Sequence, residues 1–254
     1  MGVRQGSLES AAPRQGWEEA RDYFVGVDLG QARDYTAIAI VQRVRVPAGP
    51  PQGEDEEAQA TQTAYHLRHL ERVDLGTRYP AIIARVVGLL ATSPLSQESP
   101  LVVDRTGVGA AVVDMFTAAG ADPRAITIHG GDTVIREDRH DRVPKRELVG
   151  SLIAIQQSGR LQTAAGLTLW PTLVNELVNF QLKVNIASGH DSYEAWRESV
   201  HEDLVLATAM ACWYAENEPA ALPWIPCQVV HSAWPWGSAG GRGGAGRRGG
   251  TRER

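Results

Sequence analysis

The stretch Tyr23–Gly30, with the sequence YFVGVDLG, decides how this chain begins to fold. It is a short apolar run that ends in the carboxylate of Asp28, just before Gly30. An apolar run of this length predicts a buried strand, and an Asp followed closely by a Gly predicts a turn. The carboxylate then stands at the mouth of a sheet, where it can hold a cation or a phosphate.

Acidic residues end or begin apolar segments at two further places in the chain. Asp104 ends the run LVVD and is followed by RTGVG. Asp203, preceded by Glu202, begins the long apolar stretch LVLATAMACW, which predicts a helix whose N-terminus favours acids. Asp28, Asp104 and Asp203 thus come from distant parts of the chain, and each lies at the end of an element. Together the three acids predict one metal centre.

Length and composition set the expected organisation of the chain. With 254 residues and 43% hydrophobic content, one compact domain is expected over residues 22–218, between an extension (1–21) and a Pro/Gly/Arg-rich disordered tail (219–254). Two cysteines in patterns typical of neither disulfides nor metal sites favour a cytoplasmic protein. The apolar runs are too short to cross a membrane, so no membrane partner is expected.

Charge is unevenly distributed along the sequence. The net charge of −5 argues against assuming a nucleic-acid partner, and acids concentrate at residues 54–57 in a Pro/Gly loop. Arginines concentrate in the Gly-rich C-terminal tail. That tail can bind nucleic acid loosely or be a solvating extension, and the sequence leaves both readings open.

Apolar periodicity predicts a mixed α/β sheet with helices on both faces. The predicted strands cover residues 23–29, 35–46, 62–74, a run ending at Asp104, 125–129 and a hairpin over 180–196. The predicted helices cover 79–91, 108–119, about 144–158, about 167–179 and a last helix from Asp203.

Several motifs, taken together, point to a known family. VGVDLG at 25–30, DYTA at 34–37, VDRTGVG at 103–109 and HEDLVLA at 201–207 resemble the nuclease domain of phage large terminase subunits, in the same order and with similar spacing. The resemblance covers about residues 22–216 and implies an RNase H-like fold. It implies that Asp28, Asp104 and Asp203 are the catalytic, metal-binding acids, with Asp34 and Glu202 as accessory metal ligands.

The resemblance also implies an activity and its partners. The expected activity is a Mg²⁺- or Mn²⁺-dependent endonuclease that cleaves double-stranded DNA during viral genome packaging, in the host cell cytoplasm. The family's ATPase motor normally precedes this domain, yet the sequence contains no GxxxxGK[ST] loop. A separate P-loop ATPase subunit is therefore an expected partner, along with a small terminase subunit and a portal protein.

The chemistry of phosphodiester cleavage suits these acids independently. Two divalent ions roughly 3.5–4 Å apart can activate a water and stabilise the leaving oxygen. Mg²⁺ and Mn²⁺ prefer carboxylate oxygens, so a cluster of acids fits them better than zinc. In this hypothesis Asp28 bridges the two ions from the central strand, Asp104 binds from the neighbouring strand, and Asp203 completes one coordination shell from the start of its helix.

Other readings of the same residues remain open. Asp34 and Glu202 can be an ordinary turn acid and an ordinary capping acid. The mixed-charge stretch 132–142 is predicted to be a solvated loop. A basic DNA-binding surface is predicted from Arg105, Arg136, Arg139, Arg142 and Lys145. The alternative functions are a Holliday-junction resolvase-like nuclease and a non-catalytic docking module of a DNA-packaging complex.

Overall fold

The computed structural model describes residues 22–30, 34–48, 61–96, 98–107, 110–186 and 201–219. The predicted N-terminal extension, the acidic loop and nearly all of the predicted tail lie outside the described residues, so the expected domain boundaries remain predictions. Within the described part, no helix has the length and apolar character needed to cross a membrane.

Eight strands and five helices are found in the described part of the chain. The strands are β1 (Asp22–Asp28), β2 (Thr36–Pro47), β3 (Thr61–Val73), β4 (Leu101–Asp104), β5 (Pro123–His129), β6 (Ile135–Arg136), β7 (His140–Pro144) and β8 (Leu161–Thr163). The helices are α1 (Tyr79–Leu90), α2 (Ala110–Ala118), α3 (Lys145–Gln157), α4 (Trp170–Ile186) and α5 (Asp203–Asn217).

All eight strands form one mixed sheet in the order β6-β7-β5-β4-β1-β2-β3-β8. β2 runs antiparallel to both β1 and β3, whereas β4 and β5 run parallel to β1. The central order β3-β2-β1-β4-β5, with only β2 reversed, is the arrangement of an RNase H-like sheet. The predicted fold class is therefore confirmed.

Helices cover both faces of this sheet. Phe24 of β1 belongs to the core formed with α3, α4 and α5. Its neighbours Val25 and Val27 belong to the opposite core, with residues of α1 and α2. Successive strand residues point to opposite faces, so Gly26 and Asp28 share the face of Phe24 and lie beneath α5.

Gly26 lets α5 pack directly on β1. A Cβ at this position would lie 2.0 Å from the backbone oxygen of Ala207. Two strand residues from Gly26 to Asp28 advance roughly 6.7 Å. One helical turn from Ala207 back to Asp203 advances roughly 6 Å. The contact at Gly26 therefore brings Asp28 and Asp203 opposite each other.

Two local predictions were wrong. The predicted hairpin over 180–196 does not begin where expected, because α4 continues as a helix to Ile186. Leu177, Phe180 and Val184 are spaced three and four residues apart, a helical periodicity that the alternation of polar residues obscured. The rest of the predicted hairpin lies outside the described residues.

The mixed-charge stretch is not simply a solvated loop. It forms β6 and β7 at one edge of the sheet, and Asp141 on β7 is only 1% exposed. Arg124 on β5 donates two hydrogen bonds to its carboxylate, from Nε at 2.9 Å and from Nη2 at 2.6 Å. The bonds from Arg124 thus allow the charge of Asp141 to be buried.

Candidate metal centre

Asp28 and Asp104 lie side by side at the carboxyl ends of two parallel strands. The register pairs Val27 of β1 with Val103 of β4, which puts the next residues, the two acids, on neighbouring strands about 4.8 Å apart. The negative charge of Asp104 raises the pKa of Asp28, so the two carboxyl groups lie close in space.

The environment of Asp28 disfavours its charge. Burial raises the pKa of Asp28 well above its usual range, and the negative charges of Asp104 and Asp203 raise it further. The positive charge of Lys145 acts in the opposite direction. A half-buried group under this repulsion would ionise most readily when a cation arrives to neutralise it.

Asp104 is held in place by the turn that follows it. Its Oδ1 accepts hydrogen bonds from the backbone N–H of Thr106 at 2.8 Å and from the Thr106 hydroxyl at 2.5 Å. The same hydroxyl oxygen accepts a bond from the N–H of Ile128 on β5, at 2.7 Å. Burial raises the pKa of the Asp104 carboxyl, although the bonds from Thr106 lower it in part.

Asp203 reaches the site from the first turn of α5. It is 5% exposed, and both of its carboxylate oxygens accept hydrogen bonds from Arg72 of β3, at 2.7 and 2.9 Å. Its charge nevertheless contributes to the raised pKa of Asp28, so the two carboxyl groups are close in space.

A lysine stands among these acids. Lys145, the first residue of α3, lies just after β7, whose Pro144 pairs with His129 of β5. Its Nζ donates to Oε2 of Glu202 at 2.5 Å, and its charge lowers the pKa of both Asp28 and Asp104. The acids are thus partly neutralised by the protein itself.

The five predicted acids line one open cavity at this edge of the sheet. Asp34 enters it from just before β2, and nearby the Gly30 N–H donates to the Thr36 hydroxyl at 3.1 Å. The cavity is lined by Asp28, Asp34, Asp104, Glu202, Asp203, Lys145, Tyr35, His129, His201 and several apolar or small residues. Acids distant in sequence therefore meet at one place.

The donor set suits a hard divalent ion, although it is not arranged as a finished cage. Among the described residues, no three His, Cys, Asp or Glu side chains stand ready to enclose an ion. In this conformation Asp203 faces Arg72 and Glu202 faces Lys145. Five of the lining residues nevertheless offer carboxylate oxygens, which are the ligands that Mg²⁺ and Mn²⁺ prefer.

Of the five predicted DNA-binding residues, Lys145 lines the cavity. The four predicted arginines are not among the described residues that line it. Arg136 stacks on Trp213 with its guanidinium carbon 5.2 Å from the ring centroid, and Arg139 pairs with Asp122. Arg142 is exposed on β7, and Arg105 is half-buried just after β4. A DNA surface through these arginines stays a prediction.

Sequence reasoning missed two residues next to the site, Arg72 and Glu176. Glu176 is 3% exposed, and its Oε2 accepts the N–H of Val205 in α5 at 3.1 Å. Burial, and then the charge of Asp203, raise its pKa to about 7. A signal did exist, because Glu176 lies between Leu173 and Phe180 on the apolar face of its helix, where a charged residue is unexpected.

Comparisons with known proteins place terminase nucleases among the similar structures. No family model and no curated protein matches the sequence. The large terminase nuclease from thermophilic phage G20c is 21% identical, with 78% of this chain and 83% of that chain covered and a TM-score of 0.44. The same nuclease with bound magnesium is 21% identical, with coverages of 75% and 80% and a TM-score of 0.45. The human cytomegalovirus terminase nuclease domain, Mn soaked and inhibitor bound, is 12% identical, with coverages of 76% and 82% and a TM-score of 0.37. The chain is thus similar over most of its length to solved terminase nuclease domains.

Proposed function

We propose that this chain is a Mg²⁺- or Mn²⁺-dependent endonuclease that cleaves double-stranded DNA. The observation that carries the proposal is the meeting of five acids in one cavity, where Asp28 and Asp104 come from neighbouring parallel strands. A divalent cation would favour the ionised form of both groups, because its charge offsets their mutual repulsion.

Each acid has a distinct part in this proposal. Asp28 would hold the metal from the central strand, Asp104 would hold it from the neighbouring strand, and Asp203 would hold it from α5. Asp34 and Glu202 would supplement the ligands from the rim. The bound ions would supply an activated water and stabilise the leaving oxygen of the phosphodiester.

Lys145 would serve the substrate. Its ammonium group lines the cavity beside the acids and bonds to Glu202. The positive charge of Lys145 would also attract a DNA phosphate that enters the cavity.

The packaging context rests on the order of the motifs along the sequence. With it come the proposed partners, a separate P-loop ATPase, a small terminase subunit and a portal protein, and the host cytoplasm as the place of action. In this proposal the P-loop ATPase would supply the DNA translocation.

Nicking of a supercoiled plasmid tests the activity. We expect cleavage with Mn²⁺ or Mg²⁺ in the absence of ATP, and no cleavage with EDTA. Asp28→Asn should abolish it while keeping the fold, because it removes the central charge but keeps the shape. Asp114→Asn, an exposed acid on α2, is the matched control and should cut normally.

The same assay separates the alternatives. Cleavage that survives EDTA, or an Asp28→Asn variant that cuts at the normal rate, refutes the metal mechanism. DNA binding without any cleavage favours the docking module. A strong preference for branched over linear duplexes favours a resolvase.

A further inference from the structure

Arg72 is anchored from three sides beside the proposed metal site. It lies on β3, two strands from β1, and its Nε and Nη2 donate to the two carboxylate oxygens of Asp203 at 2.7 and 2.9 Å. Nη2 also donates to Glu176, and the guanidinium lies over the ring of Tyr35 at 4.9 Å. A planar group held in this way fixes the orientation of the carboxylate that it grips.

Glu176 fixes the helix that carries Asp203. The first N–H groups of a helix have no partner within it, and the N-cap residue Glu202 supplies no side-chain bond here. Glu176 supplies the cap from a different helix, because its carboxylate accepts the N–H group of Val205 at 3.1 Å. The same carboxylate binds Arg72, so β3, α4 and the start of α5 are joined at one point.

We propose that Arg72 and Glu176 form a clamp that positions the carboxylate of Asp203 for divalent-ion binding. This inference rests on the proposed function. Arg72 uses one lone pair on each carboxylate oxygen, and a second lone pair on each remains for an ion. Arg72 and Glu176 are positioning residues, because neither lines the cavity among the described residues.

The alternative is that Arg72 competes with the ion for Asp203. The two roles predict opposite signs when Arg72 is changed. Loss of a positioning residue weakens ion binding, whereas loss of a competitor strengthens it. Arg72 also contacts Glu176 and Tyr35. These contacts favour the positioning role, because they would oppose the release of Arg72 from Asp203 that a competitor of the ion must undergo.

Mn²⁺ binding to the full-length protein, measured by calorimetry without DNA, tests the clamp. Arg72→Lys keeps the charge but loses the two-pronged grip, and it should weaken Mn²⁺ binding by roughly 10–100-fold. Glu176→Gln keeps an acceptor for Val205 and loses the charge that holds Arg72, so it should produce a smaller loss in the same direction.

Arg43→Lys is the matched control. Arg43 is another largely buried guanidinium that bonds to a carboxylate, Asp22, and to α5, where it holds carbonyl oxygens at the other end of the helix. This variant should lower the melting temperature and leave the Mn²⁺ affinity unchanged. Circular dichroism on every variant shows whether the fold is kept. If Arg72→Lys does not fold, the Glu176→Gln comparison decides the question.

The outcomes separate the clamp from the proposed function. If the unaltered protein binds Mn²⁺ and Arg72→Lys binds it equally well or more tightly, the clamp is refuted and the nuclease proposal stands. If Arg43→Lys weakens binding as much as Arg72→Lys, general loosening of α5 explains the effect and the clamp is again refuted. If the unaltered protein binds no divalent ion, the proposed function fails and the clamp fails with it.

Discussion

Replacing Gly26 with alanine should separate the two elements that carry the central acids. The new Cβ would lie 2.0 Å from the backbone oxygen of Ala207 and 3.1 Å from the backbone nitrogen of Ala211. Ordinary contact begins at 3.4 Å, so α5 and β1 must move apart by about 1.4 Å. The obstacle is backbone, which no side-chain rotation can relieve.

The consequences follow from the size of that shift. Overpacking of this kind costs about 1–3 kcal/mol in the free energy of unfolding. A displacement of about 1 Å at a catalytic group can lower the rate roughly 100-fold, and here it would fall between Asp28 and Asp203. We therefore expect Gly26→Ala to be less stable in urea and to bind Mn²⁺ more weakly. The cleavage rate should fall by a larger factor than the Mn²⁺ affinity.

Gly88→Ala provides the control for this prediction. Gly88 lies within α1, and a Cβ there would meet nothing within 4 Å. That variant should gain about 0.5–1 kcal/mol, because alanine is the better helix former, and should bind Mn²⁺ normally. If Gly26→Ala is as stable as the parent and binds Mn²⁺ equally well, the contact of α5 with β1 does not set the geometry of the acids.

Three further outcomes are expected. Binding of Mn²⁺ near neutral pH should release protons, because the pKa values of Asp28 and Asp104 are raised; calorimetry in buffers of different ionisation enthalpy measures this, and a buffer-independent heat contradicts it. The raised pKa of Glu176, about 7 against 4.5, should contribute about 3 kcal/mol of stability that is fully present below pH 4.5 and lost as the pH rises through 7. Urea unfolding of the metal-free protein and of Glu176→Gln across this range checks the sign, since the variant should lack that part of the slope. Asp141→Asn should cost about 2–3 kcal/mol, because it weakens the charge-assisted bonds from Arg124, and a loss no larger than that of Asp114→Asn would contradict it.

The acids could be predicted from sequence because each one is marked locally. Asp28 and Asp104 end uninterrupted apolar runs, and Asp203 begins one, so strand and helix limits fall where the pattern of hydrophobic residues changes. Parallel strands place their carboxyl ends at a common edge, which brings such residues together without any knowledge of side-chain contacts. The central strands of the sheet follow from the same local signals.

The clamp residues could not be predicted in this way. Arg72 bonds to Asp203, 131 positions away, and Glu176 accepts an N–H 29 positions away. Nothing in the sequence around Arg72 or Glu176 indicates these partners. Asp141 was misread for a similar reason, since a charged residue looks solvated until its partner Arg124 on the neighbouring strand is known. Long-range pairing of charges, rather than periodicity, accounts for each of these errors.

The charges lining the cavity explain how a chain of net charge −5 could receive DNA. Five carboxylates and one lysine line it, which gives −4 when all are ionised and the histidines are neutral. One divalent ion would leave −2, a charge that still repels a phosphate, whereas two would bring the cavity to neutrality. In the proposed function, the number of acids would match two ions better than one, and the entry of DNA would depend on the metal. In the proposed function, the carboxylates repel the substrate in the absence of metal, and the ions that they bind remove this repulsion.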